Sequence, residues 1–319
     1  MRGVFNSAYA CIYEIPFEIK CAEEGVVKSA IADEGLYGQG FEVIGECCDR
    51  AGAFVRIRTD YGYEGYVKCN DVILYDDCAR GCDEGNIQDI QGTKYESVQV
   101  KKAVVDILSE PFVASVRLMS VTRGAQLMCL DIEKEKKDEK EKCPDNQYVR
   151  VRLYDGRCGY IPGSCVEEYV APLDEEQIAR LDEEKLRESL VRTAASYLGV
   201  QYRWGGKTPL GIDCSGLTSM AYMLNGIYIY RDAVLKPGFP VRQIPYECMK
   251  PGDLMYFPGH IAMYIGNGDY IHSTARAGSD GVVINSLNPC STLFRLDLAE
   301  SLYAVGSVFT YKDSGVKTS

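Results

Sequence analysis

Two segments in the first half of the chain, residues 54–72 and 148–166, alternate apolar with charged residues. They align without gaps at an offset of 94 residues; each begins with an aromatic residue followed by Val-Arg-x-Arg, and each later contains Gly-Tyr before a β-branched residue. Alternation with a period of two predicts a strand, a glycine-containing hairpin turn and a second strand. We interpret the two copies as a duplicated small β-barrel.

The spacing of the two copies suggests domain boundaries. We place one barrel at residues 1–75 and the other at 96–172, and we interpret the acidic, glycine-containing stretch 76–95 as a linker. The mixed charges of Glu133–Lys142 interrupt the second copy and predict a solvated loop or short helix.

The pattern changes after the second copy. Between Asp174 and Leu198, apolar residues recur at helical spacing among charged ones, and Gly199 follows where a helix would end. We therefore predict a mixed α+β domain over residues 173–313.

A second helix is predicted after Asp213, with an apolar period that stops at Asn225-Gly226. Asp213 stands at the N-cap position, which places Cys214 in the first turn. The unpaired backbone N–H groups and the positive dipole end at that point favour a thiolate over a thiol. This position distinguishes Cys214 from the other cysteines as a candidate nucleophile.

The chain contains only two histidines, His260 and His272. His260 begins an apolar strand, Asn267-Gly268-Asp269 predicts a hairpin turn, and His272 lies on the returning strand. Either histidine alone would more often be an ordinary hydrogen-bonded residue. A nucleophilic thiolate needs an imidazole base and a group that orients it, and this hairpin would bring two imidazoles together.

Composition narrows the class of protein. Lys and Arg number 35 and Asp and Glu number 46, a net charge of −11 that argues against binding to nucleic acid or anionic membranes. The 14 cysteines include no matched pair of Cys-x-x-Cys motifs, and the cluster Cys69, Cys78 and Cys82 is a poor metal-site candidate, so we expect no metal and no disulfide scaffold. Many reduced thiols are typical of a cytosolic protein.

The chain shows no targeting signal. It has no run of about 18 apolar residues, and Met1–Cys11 lacks the apolar core of a signal peptide, so we expect no membrane span. We therefore expect a cytoplasmic protein; the alternative is a secreted protein whose leader is missing from this sequence.

Four motifs in the last domain resemble the NlpC family of cell-wall cysteine peptidases: Asp213-Cys-Ser-Gly-Leu217, Pro251-Gly-Asp-Leu254, His260 followed by Ile-Ala-Met-Tyr-Ile-Gly, and Ile271-His-Ser273. The resemblance covers about residues 175–312 and implies a papain-like core with Cys-His-His catalysis and no cofactor. With the two repeats read as SH3-like β-barrels, the chain is similar to YkfC-type enzymes. Those enzymes cleave γ-D-glutamyl–L-diamino-acid bonds in murein peptides that have a free N-terminal L-Ala.

The resemblance also implies catalytic roles. Cys214 would be the nucleophile, His260 the base and His272 the orienting residue. Tyr202 would help the Cys214 backbone N–H to hold the oxyanion, although it could instead be a stacking core residue.

Further residues would bind the substrate: Asp213, Ser215, Arg231, Asp232, Ser273, Glu64 and, as a weaker candidate, Tyr95. Arg231 could hold a carboxylate and Asp232 an ammonium. The position after this pair is usually Ser in the family but is Ala233 here, so the resemblance implies one polar contact fewer with the substrate. The alternatives are a surface ion pair for Arg231-Asp232, a simple helix cap for Asp213 and an exposed strand residue for Glu64.

The sequence therefore predicts an α+β protein, with a papain-like peptidase core preceded by two small SH3-like β-barrels. We expect a cytosolic monomer that hydrolyses murein peptides during cell-wall recycling, with the preference between Lys and diaminopimelate left open. Two alternatives are a secreted hydrolase of the same fold acting on intact wall, and a catalytically inert protein that binds wall peptides.

Overall fold

The computed structural model describes residues 1–21, 26–45, 54–75, 86–88, 94–130 and 148–309. The chain divides into two compact units. The first comprises Met1–Ala171 together with Trp204–Pro209, and the second comprises Pro172–Arg203 together with Leu210–Ser319. None of the described helices is both long enough and apolar enough to cross a bilayer.

The first half of the first unit is an antiparallel sheet. Its described strands are β1 (Arg2–Phe5), β2 (Tyr9–Tyr13), β5 (Ile31–Leu36), β6 (Gly40–Gly45), β7 (Phe54–Thr59), β8 (Glu64–Lys68) and β9 (Val72–Tyr75), beside a small hairpin of β3 (Ile19–Cys21) and β4 (Val27–Ser29). The order in the sheet is β5-β2-β8-β7-β6-β1-β9. Val4, Leu36, Phe41 and Ile57 are among its fully buried side chains.

The second half of the unit is a similar sheet. Its described strands are β10 (Asn86–Gln88), β11 (Lys94–Val100), β12 (Val104–Leu108), β13 (Arg117–Thr122), β14 (Gln126–Cys129), β15 (Tyr148–Arg152), β16 (Cys158–Pro162) and β17 (Val166–Glu168). The order is β10-β11-β14-β15-β16-β12-β13, and β17 also pairs with β11. In both halves the described strands follow an open path, so the structure shows two antiparallel sheets and does not confirm closed barrels.

The predicted repeat is confirmed at the level of strand register. Val55 faces Val67 across β7 and β8, and Val149 faces Ile161 across β15 and β16, the equivalent pair 94 residues later. The turn glycines also correspond, since Gly62 has a φ of 82° and Gly156 a φ of 89°. Glycine is needed there because other residues rarely adopt a positive φ.

The predicted linker 76–95 contains strand residues. Within the predicted linker 76–95, residues 86–88 form β10 and residues 94–95 begin β11, with Ile87 opposite Tyr95. Both segments alternate polar and apolar residues, a strand signal that is weak over so few positions. The rest of that linker, and the charged run Glu133–Lys142, lie outside the described residues.

The two halves of the first unit share a core. Val4 on β1 and Tyr37 in the turn after β5 belong to the same buried cluster as residues of the second sheet. The Tyr37 hydroxyl accepts a hydrogen bond from the backbone N–H of Tyr154 at 2.9 Å. The repeats therefore pack together as one unit.

A buried ionic cluster anchors residues 204–209 within the first unit. The Lys207 ammonium lies 3.2 Å from Asp33 Oδ2 and donates to the Tyr61 hydroxyl at 2.7 Å, and all three side chains are buried. The backbone N–H of Lys207 donates to Glu34 Oε2 at 2.7 Å. A buried charge requires such partners, because desolvating an isolated ammonium is costly.

The second unit has the predicted α+β composition. Its helices are α1 (Glu175–Arg180), α2 (Glu183–Ala195), α3 (Cys214–Met223) and α4 (Leu296–Ser301). Its sheet contains β20 (Arg242–Ile244), β21 (Leu254–Phe257), β22 (His260–Gly266), β23 (Asp269–Thr274), β24 (Gly281–Ser286) and β25 (Ala304–Ser307), in the order β20-β25-β21-β22-β23-β24. Two short strands, β18 (Lys207–Thr208) in the first unit and β19 (Gly211–Ile212) in the second, lie between α2 and α3 in the sequence.

The first predicted helical segment is divided into two helices. Asp174 and Gln177 form a capping box at the start of α1, and the chain leaves the helix at Leu181. Asp182 then caps α2, accepting from the Lys185 N–H at 3.2 Å. A second N-cap carboxylate eight residues after the first restarts the helix, which apolar periodicity alone does not reveal.

The Pro251-Gly-Asp-Leu motif has a structural role in the second unit. Asp253 is fully buried and accepts from Arg187 Nη1 at 2.9 Å, from Ser307 Oγ at 2.6 Å and from the Lys250 backbone N–H at 2.8 Å. These bonds join α2, β25 and the turn before β21. The motif therefore holds in place the strand that precedes the histidine hairpin.

Candidate active site

Cys214 begins α3, as the sequence predicts. Asp213 is the N-cap in extended conformation, and its Oδ1 accepts from the Gly216 N–H at 2.6 Å. The Cys214 side chain is 7% exposed, and the backbone N–H groups of Ile261 and Ser215 donate toward its sulfur. Because Ile261 directly follows His260 on β22, the sulfur lies beside the start of the histidine hairpin. The helix α3 as a whole packs against β22 and β23.

The predicted hairpin is confirmed and brings the two histidines together. β22 and β23 are antiparallel, and Asn267 and Gly268 make the turn with φ values of 56° and 84°. His260 Nε2 lies 2.7 Å from His272 Nδ1, with the two rings nearly perpendicular. His272 is fully buried.

The hydrogen-bond chain continues to a residue that the sequence analysis missed. His272 Nε2 lies 2.9 Å from Oδ1 of Asn285 on the neighbouring strand β24. The signal in the sequence was a single amide in the otherwise apolar run Val-Val-Ile-Asn, because a buried polar side chain needs a partner. Its partner lies across the sheet and could not be identified without strand pairing.

Burial sets the protonation states in the site. It raises the pKa of the Cys214 thiol to about 11, assisted by the nearby Asp213 carboxylate and opposed by the Ile261 and Ser215 N–H groups. Burial also lowers the pKa of His260 to about 3, with His272 contributing, and that of His272 to about 4. The expectation that the helix start favours a thiolate is therefore corrected: desolvation outweighs the helix terminus, and the neutral thiol and imidazoles are favoured at rest.

The same shifts make stability depend on pH. Above the ordinary histidine pKa of 6.5 both rings are neutral in the folded and unfolded states, so the full stability is present. As pH falls below that value the unfolded chain binds protons that the folded site rejects. Both rings therefore lower the free energy of unfolding progressively as pH falls, until pH reaches their lowered pKa values.

Urea unfolding measured from pH 7 down toward pH 4 tests this expectation. A double variant, His260→Gln with His272→Gln, should lose less stability over that range than the parent. Carboxylates titrate equally in both proteins, so they cancel in the comparison. Parallel pH curves for the two proteins would show that the histidine pair does not carry the predicted shifts.

Arg231 is bonded within the protein to two residues beside Cys214, and the substrate-binding role expected for it stays a prediction. Its guanidinium is buried and donates to both carboxylate oxygens of Asp213 at 3.0 Å, and also to Ser215 Oγ at 2.7 Å. This bidentate bond uses the guanidinium N–H groups that were expected to bind a substrate carboxylate. In the structure Arg231 thus holds the residues on either side of Cys214.

Ser273 is likewise engaged within the protein. Its buried hydroxyl donates to the Ile212 carbonyl at 2.6 Å, which ties β23 to the strand that leads into Cys214. The substrate-binding role expected for Ser273 stays a prediction.

Tyr202 and Asp232 also belong to the second unit. Tyr202 forms a backbone bridge with Ile212, two residues before Cys214. Burial and the neighbouring Cys214 and Asp213 raise the pKa of its phenol, so the hydroxyl stays protonated and can donate. Asp232 is half-buried, and a hydrogen bond links it to the Tyr230 hydroxyl.

The remaining two predicted site residues lie in the first unit. Glu64 on β8 lies 3.1 Å from Arg56 and 2.8 Å from Arg58, so its carboxylate already has two cationic partners. Tyr95 on β11 accepts from Arg152 Nη1 at 3.3 Å. Among the described residues no group of three acidic, cysteine or histidine side chains is arranged to bind a metal; Cys78 and Cys82 lie outside them.

Comparison with known proteins places these features in a family. The NlpC/P60 family profile matches residues 199–292, the region that contains Cys214 and both histidines. The fold resembles a crystal structure of an NlpC/P60 family protein from Bacillus cereus ATCC 10987, with a TM-score of 0.67 and 21% identity over 96% of this chain and 98% of that one.

Two relatives extend the match. Dipeptidyl-peptidase 6 of Lysinibacillus sphaericus is 37% identical over 279 residues, which cover 88% of this chain and 92% of that protein. Gamma-D-glutamyl-L-lysine dipeptidyl-peptidase of Bacillus subtilis is 33% identical over 121 residues, 35% of this chain and 38% of that protein. With a relative of this similarity over nearly its full length, the chain belongs to the NlpC/P60 family of cysteine-type peptidases.

Proposed function

We propose that this peptidase hydrolyses the γ-D-glutamyl–L-diamino-acid bond of murein peptides that carry a free N-terminal L-Ala. The observation that carries the proposal is the juxtaposition of Cys214, at the start of α3, with the hydrogen-bonded chain His260–His272–Asn285. The names of the relatives support the bond specificity, since one is a dipeptidyl-peptidase and another acts on gamma-D-glutamyl-L-lysine.

The first half of the reaction forms an acyl-enzyme. Cys214 Sγ attacks the γ-carbonyl carbon of D-Glu while its proton passes to His260. The oxyanion is held by the Cys214 backbone N–H and the neutral Tyr202 hydroxyl. His260 then gives the proton to the departing amine of the diamino acid, and the C–N bond breaks to leave a thioester on Cys214.

The second half restores the enzyme. His260 takes a proton from water as the oxygen attacks the thioester, and then returns a proton to the sulfur. The products are the diamino acid and L-Ala-D-Glu. Because burial favours the neutral thiol in the resting site, proton transfer to His260 accompanies the attack instead of preceding it.

Substrate recognition is proposed to depend on charge. Asp232 is a half-buried carboxylate in the second unit that can pair with the ammonium of the peptide. The roles of Glu64 and Tyr95 stay predictions from the sequence, as does the assignment of the first unit's two sheets as SH3-like barrels.

An enzyme that requires a free L-Ala amine acts on peptides already released from the wall. We therefore propose a cytosolic, monomeric enzyme of murein-peptide recycling. The alternative is a secreted enzyme of the same fold that acts on intact wall.

Incubation with L-Ala-γ-D-Glu-L-Lys and its N-acetylated form, followed by mass spectrometry, tests this function. We expect L-Ala-D-Glu and free Lys from the first peptide. Acetylation removes a charge-assisted bond, so the second peptide should be cut at least about tenfold more slowly. Cleavage of another bond would overturn the proposal, and equal rates on the acetylated peptide or on whole sacculi would favour the wall-hydrolase alternative.

A further inference from the structure

Asn285 is held in one orientation between two partners. The residue is 8% exposed on β24. Its Nδ2 donates to the Leu293 carbonyl at 3.1 Å, and its Oδ1 faces His272 Nε2 at 2.9 Å. Because an amide nitrogen only donates and an amide oxygen only accepts, the bond to Leu293 presents an acceptor to the histidine.

That acceptor determines where the ring protons lie. A neutral imidazole has one N–H and one lone pair, so His272 must carry its proton on Nε2 to donate to Asn285. Its Nδ1 is then an acceptor, and His260 Nε2 must donate to it across the 2.7 Å contact. The lone pair of His260 is therefore on Nδ1, the ring nitrogen that remains for Cys214.

We propose that Asn285 is a positioning residue that selects, through His272, the tautomer in which His260 Nδ1 can accept the thiol proton. Without the acceptor at His272 Nε2, the opposite arrangement becomes available, in which His272 donates from Nδ1 to His260 Nε2. His260 then carries its proton on Nδ1 and cannot act as a base toward the sulfur. The catalytic consequence rests on the proposed function, whereas the tautomer assignment does not.

The neutrality of the amide is part of the inference. A carboxylate at this position would favour an imidazolium on His272, which would compete with His260 for the proton. Two charged groups, Arg295 and Asp297, act on both rings with opposite sign, and they hold each other through hydrogen bonds of 2.8 and 2.7 Å. Because the hydrogen-bond chain ends on the neutral Asn285 amide, His260 is the ring that gains the proton during the reaction.

The two histidines make the tautomers directly observable. Because the chain contains no others, selective ¹⁵N-histidine labelling reports only this pair. The measurement is made in a Cys214→Ala background, so that no proton is shared with the sulfur. We expect both rings as Nε2–H tautomers there, and a substantial Nδ1–H population once Asn285→Ala is added.

The second test is steady-state kinetics of Asn285 variants that retain Cys214. Asn285→Ala should lower kcat for the tripeptide about tenfold with KM changed by less than about twofold, because the binding groups remain. Asn285→Asp keeps an acceptor for His272 but loses the bond to Leu293, so both rings should keep their Nε2–H tautomers at a pH well above the ordinary histidine pKa of about 6.5, while the added negative charge lowers kcat. Asn288→Ala, a deletion of the same amide on an exposed residue three positions later, is the control.

Two results would overturn the proposal. One is that both rings stay Nε2–H in the Cys214→Ala/Asn285→Ala protein. The other is that Asn285→Asp, which keeps the acceptor for His272, gains as much Nδ1–H tautomer as Asn285→Ala, which would assign the residue to holding Leu293. If the parent fails to cut the tripeptide, the proposed function fails, but the labelling experiment still decides the tautomers.

Discussion

Replacing Cys214 with alanine is expected to lower kcat/KM for L-Ala-γ-D-Glu-L-Lys by at least about 10⁴-fold, because no other group can form the acyl intermediate. The sulfur is buried at the start of α3, and two backbone N–H groups point toward it. Loss of one sulfur atom leaves the Asp213 cap and its bonds to Arg231 in place, so the fold should persist.

The matched control for that variant is Cys290→Ala. Cys290 is a free thiol in the same unit, but it is exposed and lies outside the hydrogen-bond chain of the histidines. It should retain parental activity. The nucleophile assignment fails if Cys214→Ala, shown to be folded by its circular dichroism, cuts the tripeptide at a rate close to that of the parent.

Replacing His260 with alanine should lower kcat by about 10² to 10⁴-fold, the range that general-base catalysis contributes. The resting thiol is neutral, so attack requires a base at the moment of reaction. Added imidazole should restore part of the lost activity, because a small base can enter the space that the ring leaves.

Alkylation of Cys214 in the His260→Ala protein distinguishes a catalytic base from a purely structural role for His260. At high pH iodoacetamide reacts with a thiolate formed by solvent hydroxide, so His260→Ala should alkylate Cys214 nearly as fast as the parent there. The contrary result is that alkylation of Cys214 in His260→Ala falls as far as the peptidase activity and that imidazole does not restore the activity. In that case the substitution has disrupted the arrangement of the site, and the loss of activity does not report a missing base.

Local signals in the sequence were enough to predict the parts of the site. The Asp-Cys pair before an apolar helix predicted the N-cap and placed the sulfur in the first turn, which the structure confirms. The Asn-Gly-Asp turn between apolar strands predicted the hairpin, and its two histidines meet at 2.7 Å. The repeated Val-Arg-x-Arg segments predicted hairpins that share one register.

Properties that depend on the assembled fold were not predictable in this way. Whether Cys214 is a thiol or a thiolate depends on burial against the sheet, and burial reverses the preference suggested by the helix terminus. Arg231 and Ser273 are polar residues near the motifs, but only tertiary structure shows that Asp213 and Ile212 take their hydrogen bonds. Asn285 reaches His272 across a strand pairing that no spacing rule specifies.

The domain organisation shows a similar limit. The repeat predicted barrels at residues 1–75 and 96–172, a division that stays a prediction. The structure adds that Tyr37, from the first of these segments, belongs to the same buried cluster as residues of the second, and that both lie in one compact unit. A period in the sequence identifies duplicated hairpins, but it carries no information about which faces are buried against one another.

The central claim is that a thioester forms on Cys214. Rapid acid quenching of the parent enzyme during turnover of L-Ala-γ-D-Glu-L-Lys, followed by peptide mapping with mass spectrometry, tests it most directly. We predict an L-Ala-γ-D-Glu acyl group on the peptide that contains Cys214 and its absence from the Cys214→Ala protein. The same acyl group on a different cysteine, with turnover retained in Cys214→Ala, would contradict the account.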